Sequence, residues 1–79
     1  MRYIVVEMME PIHVMRAKSF DNYNDAAQTM ENWYDERLEE MINDGDRDMI
    51  DTYISNYDAS IWNERYDDYY KFDIVEEEA

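Results

Sequence analysis

The feature that most constrains the fold is a long amphipathic stretch, NYNDAAQTMENWYDERLEEMIND, which runs from Asn22 to Asp44. Apolar side chains recur along it at the spacing of a helix, so one side of that helix is apolar and can pack on the rest of the chain. Asn22 is a favourable N-cap, and Gly45, the only glycine, suits the left-handed residue that follows a helix. The stretch therefore predicts one long helix that ends near Asn43 or Asp44.

Two strands are predicted before this helix. Residues 2–9 (RYIVVEMM) are rich in β-branched side chains, and residues 12–18 (IHVMRAK) alternate well enough for a second strand. Glu10-Pro11 separates them, and proline lacks the N–H that a strand ladder needs. The segment therefore predicts an antiparallel pair of strands joined by a tight turn.

A second hairpin is predicted near the C-terminal end, over ASIWNERYDDYYKFDIVEEEA. A two-residue turn at Asp67-Asp68 would place Ile61 opposite Ile74 and would group four apolar side chains on one face of the hairpin. Those side chains are Ile61, Tyr70, Phe72 and Ile74.

The segment between Gly45 and this hairpin predicts a second, shorter helix that ends near Tyr57. Asp46 can cap it, and apolar side chains follow at helical spacing. They are Met49, Ile50, Tyr53, Ile54 and Tyr57. The predicted fold is thus a single α+β domain over residues 1–79 in the order ββααββ, a four-stranded antiparallel sheet with one long and one short helix packed on one face.

The charge balance restricts the possible partners. Asp and Glu number 21 against seven Lys and Arg, for a net charge of −14, and all of the acidic excess lies after residue 18. Such a field repels nucleic acid and anionic membranes and attracts basic protein surfaces. The chain has no cysteine, which excludes disulfides and thiolate metal sites. No segment resembles a signal peptide or a membrane span, so the expected location is the cytoplasm.

No catalytic motif is present, and neither a cofactor nor a metal is expected. The segment DGDRD, residues 44–48, places acids at alternate positions as a calcium loop does, but Met49 and Ser55 occupy the positions that need glycine and glutamate. His13 is the only histidine and has no partner motif nearby. The sequence therefore favours a protein that is not an enzyme, and a small enzyme or metal binder ranks last among the hypotheses.

The polar side of the long helix is the main functional clue. Asp35 and Glu39, like Glu36 and Glu40, are like-charge pairs four residues apart, and such a pair destabilises a helix by roughly 0.2–0.5 kcal/mol. A row of carboxylates on a helix can imitate the phosphates of DNA. The predicted contact residues for a basic nucleic-acid-binding partner are Asp25, Asp35, Glu36, Glu39 and Glu40, with Asp44, Asp46 and Asp48 at the corner. The plainer alternative is a solvated acidic surface, or one adapted to salt.

Arg37 lies within the apolar arc of the same helix, between Trp33 or Tyr34 and Met41. The simplest interpretation is a side chain whose head reaches water or a carboxylate, such as Asp51 or Asp73. A contact with a partner is the alternative.

An aromatic patch offers a different class of function. In the predicted hairpin Trp62 shares a face with Tyr66 and Tyr69, opposite the face of Ile61. If the helices cover only that other face, Trp62 is exposed and can bind a partner or a second copy of the chain. A register shifted by one residue would instead put Trp62 in the core. This hypothesis makes the chain a protein-binding or regulatory module whose charge serves only solubility.

In size, in the Asp-, Glu- and Tyr-rich helix segment ENWYDERLEEMIND and in the acidic end VEEEA, the chain resembles the small acidic inhibitors made by bacteriophages. These include anti-restriction and anti-CRISPR proteins and uracil-DNA glycosylase inhibitors, several of which mimic DNA. The resemblance implies an inhibitor that occupies the nucleic-acid site of a host defence enzyme, in the cytoplasm of the host cell. It rests on size and composition and matches no family motif.

Overall fold

The computed structural model describes residues 1–9 and 13–78, and the predicted turn at Glu10-Pro11 lies outside these ranges. The described part contains five strands and one α-helix, in the order β1 (Arg2–Met9), β2 (His13–Phe20), α1 (Tyr23–Asn43), β3 (Ile50–Ile54), β4 (Asp58–Asn63) and β5 (Asp68–Glu77). All neighbouring strands are antiparallel, and their order across the sheet is β2-β1-β5-β4-β3. The helix packs on one face, against β1, β2, β4 and β5.

The predicted order ββααββ is therefore wrong, because the segment predicted as a short helix forms a fifth strand. A short 3₁₀ turn, Arg47–Met49, leads into β3, and the Asp46 side chain makes no capping hydrogen bond to it. The sequence IDTYI satisfies both periods, since its apolar residues fit a helix and its β-branched residues alternate as in a strand. Pairing with the open edge of β4 satisfies backbone groups that a short isolated helix would leave at its ends.

The long helix agrees with its prediction at both ends. The Asp25 N–H donates to Asn22 Oδ1 at 2.9 Å, so Asn22 is the N-cap. At the other end, Gly45 has a φ of +88°. The Asp46 N–H donates to the carbonyl of Met41, and the Gly45 N–H donates to that of Ile42. These two bonds form a Schellman motif, which ends the helix at Asn43.

The core lies between this helix and the sheet. The sheet contributes Val5, Ala59, Ile61, Phe72 and Ile74, and the helix contributes Ala26, Met30, Tyr34 and Met41. Phe72 is fully buried, and its ring meets that of Tyr34 edge to face at 6.1 Å. Burying one such side chain is worth roughly 1.5–3 kcal/mol. The opposite face of the sheet has no helix over it in the described part of the chain.

The C-terminal hairpin differs from its prediction in register but not in face. Its loop has four residues, Glu64 to Asp67, so Ile61 pairs with Tyr70 and not with Ile74. Asp67 takes a positive φ of 53° at the end of the loop, a conformation that Asp tolerates better than most residues. Because the register moved by an even number of residues, Ile61, Phe72 and Ile74 still share the buried face.

Candidate functional site

The outer side of α1 carries a dense group of acidic side chains. The helix contains six carboxylates and one arginine, and its last turn contains no basic residue. All five residues predicted as contacts on this helix are exposed, namely Asp25, Asp35, Glu36, Glu39 and Glu40. The last four lie in the C-terminal half, where the helix dipole is itself negative. Acidic side chains are therefore more numerous in that half of the helix.

Beneath this surface lies a carboxylate that the sequence did not single out. Glu7 of β1 is fully buried, and its two oxygens bind two different arginines. Arg16 Nε of β2 lies 2.6 Å from Oε1, and Arg37 Nε of the helix lies 3.2 Å from Oε2. A buried carboxylate requires such partners because removal from water is costly. Arg37 thus reaches carboxylates, as predicted, but they are Glu7 and Glu40 and the suggested partners Asp51 and Asp73 were wrong.

Aromatic rings hold both arginines in place. The guanidinium of Arg16 lies 4.3 Å from the ring centre of Trp33, and that of Arg37 lies 4.9 Å from that of Tyr70. Burial by itself lowers the pKa of Arg16, but its hydrogen bonds to Glu36 and Glu7 outweigh this and raise the pKa. Both arginines are thus fixed, charged parts of the fold.

The two arginines divide the surface carboxylates into two kinds. Arg16 Nη2 also reaches Glu36 at 2.9 Å, and Arg37 Nη1 reaches Glu40 at 3.2 Å. Asp35 and Glu39 have no basic side chain within ion-pair distance in the described ranges. The charges of Glu36 and Glu40 are therefore partly neutralised by arginines of the fold, whereas Asp35 and Glu39 face solvent.

An open cleft of about 520 Å³ lies between the C-terminal half of the helix and β2. Glu7 and the two arginines line it together with the acidic helix residues. Met15 also lines it, at a β-bulge in β2 where the register with β1 shifts. The lining residues are Glu7, Met15, Arg16, Glu36, Arg37, Glu39, Glu40 and Asn43.

The three corner residues do not share one environment. Asp44 and Asp48 are exposed, but Asp46 is buried, with 2% of its surface accessible. Asn63 Nδ2 donates to Asp46 Oδ2 at 2.9 Å. Arg65 Nε lies 2.8 Å from Oδ1 without pointing an N–H at it, so that oxygen has no hydrogen-bond donor among the described residues. Asp46 is thus a structural residue and is not part of the acidic surface.

The structure keeps two of the three aromatic residues of the predicted patch together and separates the third, Tyr66. Trp62 pairs directly with Tyr69 across β4 and β5 on the sheet face opposite α1, and Trp62 Nε1 donates to Asp67 Oδ1 at 3.2 Å. Tyr66 lies in the loop and lines a small pocket on the helix side, beside Asp46. The uncovered face continues from Trp62 to Tyr53 of the edge strand.

Sequence reasoning missed Glu7 and Arg16 as members of this site. One signal was available: Glu7 is the only acid within RYIVVEMM, and alternation along the strand places it on the same side as Val5, toward the core. A lone charge on a core face needs a counter-ion, and Arg16 is a basic residue of the neighbouring strand.

No group of three or more His, Asp or Glu side chains in the described ranges is arranged to hold a metal ion. Within those same ranges, no helix has the length and apolarity needed to cross a membrane. Comparisons of the chain with protein-family models, with curated proteins and with solved structures found no significant match.

Proposed function

We propose that this protein is a non-enzymatic inhibitor that uses the outer side of α1 to occupy the nucleic-acid-binding site of another protein. In the host cytoplasm, its target would be a defence enzyme such as a CRISPR–Cas or restriction complex. The carboxylates stand in for phosphates and bind the Lys and Arg side chains of the target.

The observation that carries this proposal is the placement of the chain's arginines. Arg16 and Arg37 are both bound to buried Glu7, so neither is free to neutralise the helix surface completely. Asp35 and Glu39 have no counter-ion among the described residues and repel each other across one turn of the helix, an arrangement that costs the isolated fold stability. A surface built only for solubility would mix positive and negative charges, whereas a cationic partner would relieve the repulsion on binding.

The test neutralises these two carboxylates without changing side-chain shape. Tagged wild-type protein and the variant Asp35→Asn plus Glu39→Gln are used to capture proteins from bacterial lysate, with and without duplex DNA as competitor. We expect wild type to capture nucleic-acid-binding proteins that DNA displaces and that added salt releases, because the contacts are ionic. The variant should lose most of this capture.

The matched control is Glu64→Gln plus Glu77→Gln, which removes the same charge from exposed positions outside the helix. Capture by this control should equal that of wild type. Equal capture by both variants, or capture that neither DNA nor salt reduces, would contradict the proposal.

The second candidate is a protein-binding module that acts through the uncovered face of the sheet. Its support is the adjacency of Trp62 and Tyr69, together with the half-exposed Val75 on the same face. Trp residues on such surfaces often dominate binding energy. Capture that is lost in Trp62→Ala but kept in the Asp35 and Glu39 variant, and that salt does not affect, would favour this function over DNA mimicry.

A further inference from the structure

The two edges of the sheet are protected to different degrees. β2, at one edge, carries the basic residues Arg16 and Lys18 and the bulge at Met15, all of which discourage pairing with another strand. β3, at the other edge, reads IDTYI and contains no lysine, no proline and no bulge. Its single charge is Asp51. This edge therefore has fewer of the features that block pairing than the edge at β2.

β3 is also exposed on both faces. Tyr53 is 55% exposed on the uncovered face, and Ile54 is 48% exposed on the helix side. The helix packs on the other four strands and leaves Ile54 open. The edge therefore offers apolar side chains above and below the plane of its backbone groups.

The hydrogen bonds to β4 show which backbone groups of β3 are free. The Ser55 N–H donates to the carbonyl of Asp58, and the Glu64 N–H donates to that of Met49. Because bonded and non-bonded pairs alternate in an antiparallel ladder, Asp51 and Tyr53 bond to β4. The N–H and C=O groups of alternate residues consequently point away from the sheet. They belong to Ile50, Thr52 and Ile54.

We propose that β3 is a homodimer interface, in which β3 of a second copy pairs with it antiparallel about Thr52. This register matches Thr52 with itself, Ile50 with Ile54, and Asp51 with Tyr53. It pairs all five residues and lets the free groups form about six hydrogen bonds. The proposal goes beyond the inhibitor function and does not depend on it.

Neighbouring registers are less favourable. Centring the pair on Asp51 would place two carboxylates opposite each other, which destabilises a sheet, and would leave Ile54 without a partner strand. Centring it on Tyr53 would pair only three residues of each strand. The strand is therefore complementary to itself in one register, and this favours a second copy over an unrelated peptide.

The charge distribution permits this contact although each copy carries a net charge of −14. The acidic helices lie over the middle of each sheet, so five strand spacings, or about 24 Å, separate them in the dimer. That distance exceeds the screening length of about 8 Å at physiological salt. At low ionic strength the screening length is longer and the two net charges repel, so adding salt up to about the physiological level should strengthen the dimer, whereas it should weaken binding to a cationic target.

The interface is small, so the dimer should be weak. Sedimentation equilibrium of the full chain, at concentrations up to about 1 mM, should show a monomer–dimer equilibrium that shifts toward dimer when NaCl is added. Thr52→Asp places two like charges opposite each other and should weaken dimerisation by at least about fivefold. Ser19→Asp, which adds the same charge to the opposite edge strand, should leave it unchanged.

A charge-reversal pair tests the register itself. Thr52→Lys alone should also dimerise poorly, whereas an equimolar mixture of Thr52→Asp and Thr52→Lys should dimerise at least as well as wild type, because opposite charges then face each other. The chain has no cysteine, so Thr52→Cys would carry the only thiol and should form a disulfide-linked dimer faster than Ser19→Cys. Thr52→Cys tests the proposed dimer even if the charged variants of Thr52 do not fold.

Wild type that stays monomeric at the highest concentration and salt would overturn the proposal. So would Thr52→Asp that dimerises as wild type does, or Thr52→Cys that cross-links no faster than Ser19→Cys. Because the readout is self-association without any target, failure here is distinct from failure of the capture experiment.

Discussion

Glu7 and Glu39 line the same cleft but differ in almost every other respect. Glu7 is fully buried and binds two arginines, whereas Glu39 is exposed and has no basic neighbour within reach in the described part of the chain. In a chain with only seven basic residues, two are committed to one interior carboxylate. The comparison shows that arginines pair with the carboxylate that is buried. The exposed carboxylate of Glu39 is compensated only by water or by a binding partner.

The largest expected effect comes from removing both counter-ions of the buried charge. Arg16→Met plus Arg37→Met leaves Glu7 without a partner in the interior, and we expect a loss of roughly 3–5 kcal/mol in the free energy of unfolding. That is a large share of the stability of a domain this small. Urea denaturation followed by circular dichroism measures it.

The control for this double variant is the triple variant that also carries Glu7→Met. Replacing all three charges removes the unpaired carboxylate, so the triple variant should be more stable than the double. A double variant as stable as wild type would mean that water reaches Glu7, and the contrast with Glu39 would then fail.

Asp46 extends the comparison to a second buried carboxylate. Asn63→Ala removes the hydrogen bond that Asn63 Nδ2 donates to Asp46 Oδ2 and also the one that the Arg65 N–H donates to Asn63 Oδ1. We expect a loss of about 1–3 kcal/mol, because a buried charge loses its remaining donor. Asn24→Ala, at an exposed helix position, is the control and should change the unfolding free energy by less than about 0.5 kcal/mol.

Substitutions on the helix surface should change the free energy of unfolding by smaller amounts. Whether they raise or lower it should depend on the nearby arginines. Glu39→Lys removes a like-charge pair with Asp35 and places a cation near the helix C-terminus, so we expect a gain of about 0.5 kcal/mol. Glu40→Lys places a cation at the same end but beside Arg37, whose partner it removes. It should therefore be less stable than Glu39→Lys, and equal stability of the two would show that Arg37 does not distinguish these positions.

The arginines also determine which carboxylates are best substituted together. The sequence alone presents Glu36 and Glu40 as a like-charge pair four residues apart, so reversing both charges would be expected to stabilise the helix. In the structure each of them faces an arginine, so the change would create new repulsion with Arg16 and Arg37. The pair Asp35 and Glu39 is the better choice for testing the surface.

The smallest effect concerns pH. Burial raises the pKa of Tyr70, although Arg37 over its ring lowers it in part. A tyrosine with a raised folded-state pKa contributes stability that is present below its unfolded pKa, near 10, and that is lost as the pH rises above it. Tyr70→Phe should therefore lose less stability than wild type between about pH 9 and 11. Thermal unfolding across this range checks the difference, and parallel curves would contradict it.

Part of the fold was predictable from local patterns. Asn22 and Gly45 bound the helix as the sequence indicated, because capping and the left-handed residue are properties of the few residues around them. β1 was also predicted with its observed limits. The buried face of the C-terminal hairpin was predicted correctly although the register was wrong, because only an odd shift would have moved Ile61 out of the core.

The rest was decided by contacts distant in sequence. Whether IDTYI forms a helix or a strand depends on the free edge of β4, which no local pattern reveals. Glu7 and Arg37 are 30 positions apart, and Asp46 is buried because Asn63 and Arg65 return to it from the next hairpin. The sequence by itself determined the helix, the apolar faces and the excess of negative charge. Only the tertiary structure decided which charges are paired, because pairing depends on distances that the sheet sets.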